Sequence, residues 1–166
     1  MKPLWNPAAK SASIRKWADH LHKEAKRVFL KDKAHAQILF AFGDSGPVSV
    51  TSVPPKTPHP QVHDAITRAV RKNNLYGIIH VGEAWTYFPR DENDHTAFQL
   101  LDGKLRVSDL KGGDRTEALY LRMESRDRDC LVYFDRIVRN GVGVGLGEHK
   151  TIPDEDLRWF ASPRRT

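Results

Sequence analysis

Cysteine is almost missing from this chain: Cys130 is the only one among 166 residues. That excludes an internal disulfide and any cysteine-based zinc finger, and it suits a reducing compartment. Long apolar runs are missing as well. The longest, Ile38 to Phe42, falls far short of the roughly 18 residues a membrane helix needs. Lys, Arg and His interrupt the first thirty residues throughout, leaving no apolar core for a signal peptide. These absences predict a soluble cytoplasmic protein without membrane contact.

The apolar residues that are present fall in periodic segments, which argues for a folded body despite a charged fraction of 29%. The length suits one domain. We expect a flexible basic arm at residues 1–10, a single domain over 11–162 and a basic tail at 163–166. Charge is distributed unevenly. Residues 1–33 carry nine Lys and Arg against three acids, which accounts for the whole formal excess of +6, and the rest of the chain is balanced.

Ser11 or Ser13 is expected to cap a helix running to about Lys31, in which Ile14, Trp17, Ala18, Leu21, Ala25, Val28 and Phe29 recur at helical spacing. At about 100° per residue, Lys16, His20, Lys23, Arg27 and Lys31 form a second stripe roughly opposite the apolar one. Gln37 to Phe42 and Val48 to Thr51 read as a hairpin around the turn Gly43 to Pro47. Prolines 54, 55, 58 and 60 break the ladder, and Pro60 opens a helix over Gln61 to Lys72. A strand follows from Tyr76 to Tyr87. Residues 89–116 read as a polar loop containing a weak hairpin around Asp102-Gly103. Strands at Glu117 to Glu124 and Cys130 to Arg139 come next. An Asn140-Gly141 turn then leads into Val142 to Leu146, and a short helix at Asp154 to Phe160 ends the domain. The order predicts an α+β fold: a mostly antiparallel sheet of five to seven strands, with N-terminal, central and short C-terminal helices, the helices covering one face. Val48 to Tyr87 fits a right-handed parallel crossover.

Several constellations bear on chemistry. His59 and His63 stand four apart, a spacing that puts two metal ligands on one helical face, with His80 as a third candidate. His59 is expected at the cap, just outside the helix, so satisfied or solvated histidines are the preferred reading and no metal or other cofactor is assigned. Alternation along the strand puts His80 with Ile78 and Ala84, and Glu83 with Val81 and Trp85 on the other face. Only a bulge at Gly82 would bring the two together. Glu83, flanked by apolar neighbours, is placed to hold its proton and act as a general base, or else to pair with Arg115 or Arg122. The alternate glycines from Gly141 to Gly147 lack the spacing of a nucleotide-binding turn and read as a strand against which another element packs closely. Lys111 to Arg115 reads as a solvated loop, and Cys130 as a small core residue.

Gly82-Glu83-Ala84-Trp85 and Asp114-Arg115-Thr116-Glu117-Ala118-Leu119 together resemble a group of small proteins from bacteria and their phages, over the central half of the chain. The resemblance implies a strand ending in an acid-aromatic pair, then a polar loop and an Asp-Arg-x-Glu start to the next strand. It brings no activity. It does imply that Glu83, Trp85, Arg115 and Glu117 form one structural or binding cluster.

The leading expectation is a non-enzymatic module that engages nucleic acid, or an acidic protein surface, through Lys16, His20, Lys23, Arg27 and Lys31. Self-association is compatible with it. The alternatives are a hydrolase centred on Glu83 and His80, with or without metal, and a phage or bacterial interaction factor working through an exposed strand edge or the same helix.

Overall fold

The computed structural model describes residues 3–101, 103–111, 115–141, 143–153 and 157–160. Its elements are α1 (Lys10–Asp32), β1 (Ile38–Gly43), β2 (Gly46–Ser52), α2 (His59–Lys72), β3 (Gly77–Thr86), α3 (His95–Leu101), a 3-10 turn (Val107–Asp109), β4 (Thr116–Ser125), β5 (Cys130–Asn140) and β6 (Gly143–Pro153). The six strands make one sheet in the order β2-β1-β3-β4-β5-β6, and every neighbouring pair is antiparallel. This is the expected α+β architecture.

Helices lie on both faces of the sheet, not on one. Ile14, Ala18, Ala25 and Phe29 of α1 pack with Phe42, Ile79, Val81, Leu119, Leu121 and Met123. Ile66 and Val70 of α2 pack with Ala41, Ile78 and Trp159 on the opposite side. Successive strand side chains point to opposite faces, so Ile78 and Ile79 enter different cores. The unbroken apolar run of β1 has the same cause: an internal strand covered on both sides has no polar face to present. Because β2 and β3 both pair antiparallel with β1, they run parallel to each other with β1 between them, and α2 makes the crossover.

Local chemistry sets the helix ends differently from the expected caps. Ala9 is the N-cap of α1 and has no side-chain oxygen to accept a capping hydrogen bond. The hydroxyl of Ser11 is instead spent on Asp129 at 2.6 Å, and that of Ser13 accepts the Asn6 N–H at 2.9 Å. Trp5 of the arm is packed on the domain, stacked on Phe42 with ring centroids 5.6 Å apart, and its Nε1 donates to the Asp44 carbonyl. His59 is the first residue of α2, inside the helix. Where a weak hairpin is expected around residue 102, there is a helix, α3, followed by a 3-10 turn. Asp94 organises the start of α3 by accepting the Ala97 N–H and the Tyr87 hydroxyl.

Strand β6 runs to residue 153, well past Leu146, and Asn140, expected in the turn, is instead the last residue of β5 and pairs with Gly143. The expected close packing over the alternating glycines holds at Gly147 alone, since a Cβ at Gly141, Gly143 or Gly145 would meet nothing within 4 Å. The expected helix at 154–160 falls partly outside the described residues; its described part, Leu157 to Phe160, forms bends that dock Trp159 into the core. The basic tail at 163–166 and Gly112 to Asp114 also lie outside the described residues.

Candidate functional site

The outer face of α1 is the first candidate. Lys16, Lys23, Arg27 and Lys31 are exposed and His20 is half-buried. The apolar stripe that fixes α1 on the sheet turns this opposite stripe outward. Other basic residues near the N-terminus are engaged: Lys10 with Asp44 at 2.9 Å, Arg15 with Asp129 at 2.6 Å, and Lys33 with the Val144 carbonyl at 3.3 Å. Within the stripe, Arg27 pairs with Glu24 in the adjacent turn at 2.9 Å. Among the described residues, no hydrogen bond or ion pair engages Lys16, Lys23 or Lys31. From Lys16 to Lys31 the ridge extends roughly 22 Å at the helical rise per residue.

The second candidate surrounds Glu83. Continuous pairing of β3 with β4 puts Trp85 opposite Glu117 and Glu83 opposite Leu119, without a bulge at Gly82. Glu83, Trp85, Arg115 and Glu117 do come together, joined by Arg139 from β5. Arg139 grips Glu117 through two bonds of 2.8 and 2.6 Å and stands 4.0 Å from Glu83. The Arg115 guanidinium lies over the Trp85 ring at 4.0 Å. Neither Arg115 nor Arg122 pairs with Glu83: Arg115 is stacked, and Arg122 is buried with Glu124 at 2.7 Å. Burial, and then the neighbouring Glu117 carboxylate, push the Glu83 carboxyl above its ordinary range, while Arg139 opposes them. Glu83 Oε1 is buried with no hydrogen-bond partner among the described residues.

His80 lies on the other face. Its Nε2 is 2.6 Å from the Gln37 side-chain oxygen, and the Gln37 amide donates to the Glu83 carbonyl at 2.7 Å. Burial, with the His59 ring as a smaller contribution, lowers the His80 pKa to about 4, so its ring is neutral and donates to Gln37. A cavity of about 320 Å³ is bordered by His59, His63, His80, Glu83, Trp85 and Trp159. The candidates therefore share one crevice, yet the reactive atoms of His80 and Glu83 do not converge. Nor do His59, His63 and His80 gather their ring nitrogens as metal ligands would.

A different group does. His22 of α1, Asp135 of β5 and His149 of β6 bring their donor atoms within 4.8 Å of one another, and no other set of three or more such residues does so among the described residues. His22 Nε2 stands 2.5 Å from Asp135 Oδ2, and His149 Nδ1 stands 2.9 Å from Asp135 Oδ1. The two imidazoles hold the Asp135 carboxyl below its ordinary range against the opposing effect of burial. The sequence reading missed this triad. The available signal was an acid in the middle of the apolar strand Leu131 to Val138, since a buried carboxylate requires partners.

The family described as bacteriophage lambda protein ea47 matches residues 3–165. The chain belongs to that family. The match to the ea47 family takes in α1 and the proline-rich linker, which lay outside the central-half resemblance seen in the sequence. No curated protein and no solved structure matches the chain. No helix is long and apolar enough to cross a membrane.

Proposed function

We propose that this ea47-family chain is a binding module that engages nucleic acid through the outer face of α1. The observation that carries the reading is that Lys16, Lys23 and Lys31 project outward with no partner among the described residues, while Lys10, Arg15 and Lys33 are already engaged. Unengaged ammonium groups along a rigid helix replace condensed counterions on a phosphate backbone, so affinity comes from ion release and depends little on sequence. A ridge of roughly 22 Å reaches several phosphates.

The hydrolase reading fits less well. The His80 Nε2 is committed to Gln37 at 2.6 Å, and the Glu83 carboxylate faces Glu117 and Arg139 across the sheet. Binding of a labelled duplex to the full chain, followed across ionic strength, tests the proposal. About three phosphate contacts predict a log-log slope near −2.7. Affinity that stays flat between low and high salt overturns it.

One observation supports a second reading as a strand-edge interaction factor. β2 is an edge strand, exposed at every position after Gly46, with Val48 and Val50 61% and 63% exposed. Such an edge offers a template to an incoming strand. If it is used, Val50→Lys should abolish co-purification that survives nuclease treatment, without changing the salt slope on DNA.

A further inference from the structure

We propose that His22, Asp135 and His149 form a binding site for one divalent transition-metal ion, of the zinc class, with at least one coordination position left open. The three ligands come from α1, β5 and β6, so the site exists only when helix and sheet are assembled. Two imidazoles and one carboxylate are a ligand set that zinc and iron(II) favour, and three protein ligands leave room for water or a bound group.

The geometry is close to that of a loaded site. An ion bonded at about 2.0–2.2 Å in tetrahedral geometry sets neighbouring donors roughly 3.3 Å apart. Each Asp135 oxygen already sits on one ring nitrogen, at 2.5 and 2.9 Å, and all the donor atoms lie within 4.8 Å of one another, so loading asks the carboxylate to draw back and the rings to close on the ion by about an ångström.

The surroundings orient these ligands. The second ring nitrogen of His149 is 2.7 Å from the Thr151 hydroxyl, which leaves Nδ1 to serve as the ligand atom. The Tyr133 ring lies beside both imidazoles, with centroids 4.7 and 5.5 Å away, and its hydroxyl is anchored on Asp19 at 2.5 Å. Directly after the Asp135–His149 pair the ladder slips, with Ile137 opposite Leu146, so β6 carries an extra residue at this point. Gly147 lies in that bulge, where a Cβ would come within 2.9 Å of Val138. Access is one-sided. The side chains of His22 and Asp135 are 13% and 4% exposed, whereas His149 is 39% exposed and gives an ion a path from solvent.

The test uses the full chain without an affinity tag, stripped of metal and titrated with Zn²⁺ by calorimetry, with Co²⁺ as the spectroscopic probe. One Zn²⁺ per chain and a visible Co²⁺ ligand-field band are expected. His149→Ala should weaken Zn²⁺ by more than about 100-fold, and Thr151→Val, which acts only through orientation, by about 10-fold. His63→Ala, an exposed histidine outside the group, should change nothing. His149 sits on an exposed edge strand, so circular dichroism should show a folded variant. Asp135→Asn gives a second reading if it folds, and His22→Gln replaces it if it does not. Absence of stoichiometric Zn²⁺ binding, or wild-type affinity in His149→Ala, overturns the proposal.

Discussion

The Glu124 carboxylate accepts the backbone N–H of Trp159 at 2.9 Å. The same oxygen takes the N–H groups of Arg158 at 2.9 Å and Phe160 at 3.4 Å, and its other oxygen takes Arg122 Nε at 2.7 Å. One carboxylate near the C-terminal end of β4 therefore pins the segment 157–160 over the sheet and seats Trp159 in the α2-side core. Glu124 is fully buried and Arg122 is 1% exposed, so water replaces neither partner. Removing the carboxylate takes this ionic partner from a buried guanidinium and leaves the backbone N–H groups of residues 158–160 without their acceptor. We expect Glu124→Ala to cost about 3–5 kcal/mol, read as a lower urea midpoint with an unchanged m-value. Replacing Arg122 by Met as well should recover part of that loss. A cost of about 1 kcal/mol or less for the single variant would show that the segment is held by packing alone.

The ridge on α1 makes a prediction residue by residue. Lys23→Ala removes an ammonium with no partner among the described residues, so it should weaken DNA binding uniformly across sequences and reduce the magnitude of the salt slope by about 1. Arg15→Ala removes a cation already held by Asp129, so it should leave the slope nearly unchanged. Fluorescence anisotropy at four or five salt concentrations separates the two. Equal slopes for Lys23→Ala and the wild type would contradict the assignment of this face.

The helix α1, the first hairpin and the strands β3 to β5 are legible in the sequence because each rests on a local period, whether three and four residues in Ile14 to Phe29 or alternation in Leu119 to Met123. Which face of the sheet a helix covers is not a local property. An amphipathic stripe shows that a helix is buried on one side, but only the unbroken run Ile38 to Phe42 hints that helices cover both faces. The Glu83, Trp85, Arg115 and Glu117 group is implied only by the family resemblance, whereas Arg139, which joins it, arrives by strand pairing across 22 residues of chain. His22 and Asp135 are separated by 113 residues, and no period or motif connects them. The glycine alternation misled for a physical reason: bare strand faces occur at open edges as well as at close contacts, and β6 is an edge.

Gly82 has a steric reason to be glycine. A Cβ there would come within 2.3–2.4 Å of the Gln37 side-chain amide, the group that links His80 to the Glu83 carbonyl. The amide is flexible enough to move away, but doing so leaves the His80 N–H and the Glu83 carbonyl without it. Gly82→Ala should therefore cost about 1–3 kcal/mol. Gly143→Ala, where a Cβ meets nothing within 4 Å, should stay within about 0.5 kcal/mol of the wild type. Chemical denaturation of both variants checks the contrast, and equal costs would remove the steric role assigned to Gly82.

His80 predicts how stability responds to mild acid. Its folded pKa of about 4 lies below the ordinary 6.5, so the unfolded chain binds this proton first as pH falls. Stability from the neutral, buried ring is fully present above about pH 6.5, declines between there and pH 4, and is gone below the folded value. The depth of the decline is about 3 kcal/mol, from about 1.4 kcal/mol per pH unit. Glu83, whose pKa is raised, acts in the opposite sense, because its folded carboxyl holds a proton longer than the unfolded one. Asp129 and Asp135, whose pKa values are lowered, add their own losses at the acid end. Comparing the pH profiles of the wild type and His80→Gln isolates the histidine: the wild type should lose stability relative to the variant from pH 6.5 downward. Parallel profiles over that window would mean that the ring accepts its proton as readily in the fold as in water, and that burial does not hold it neutral.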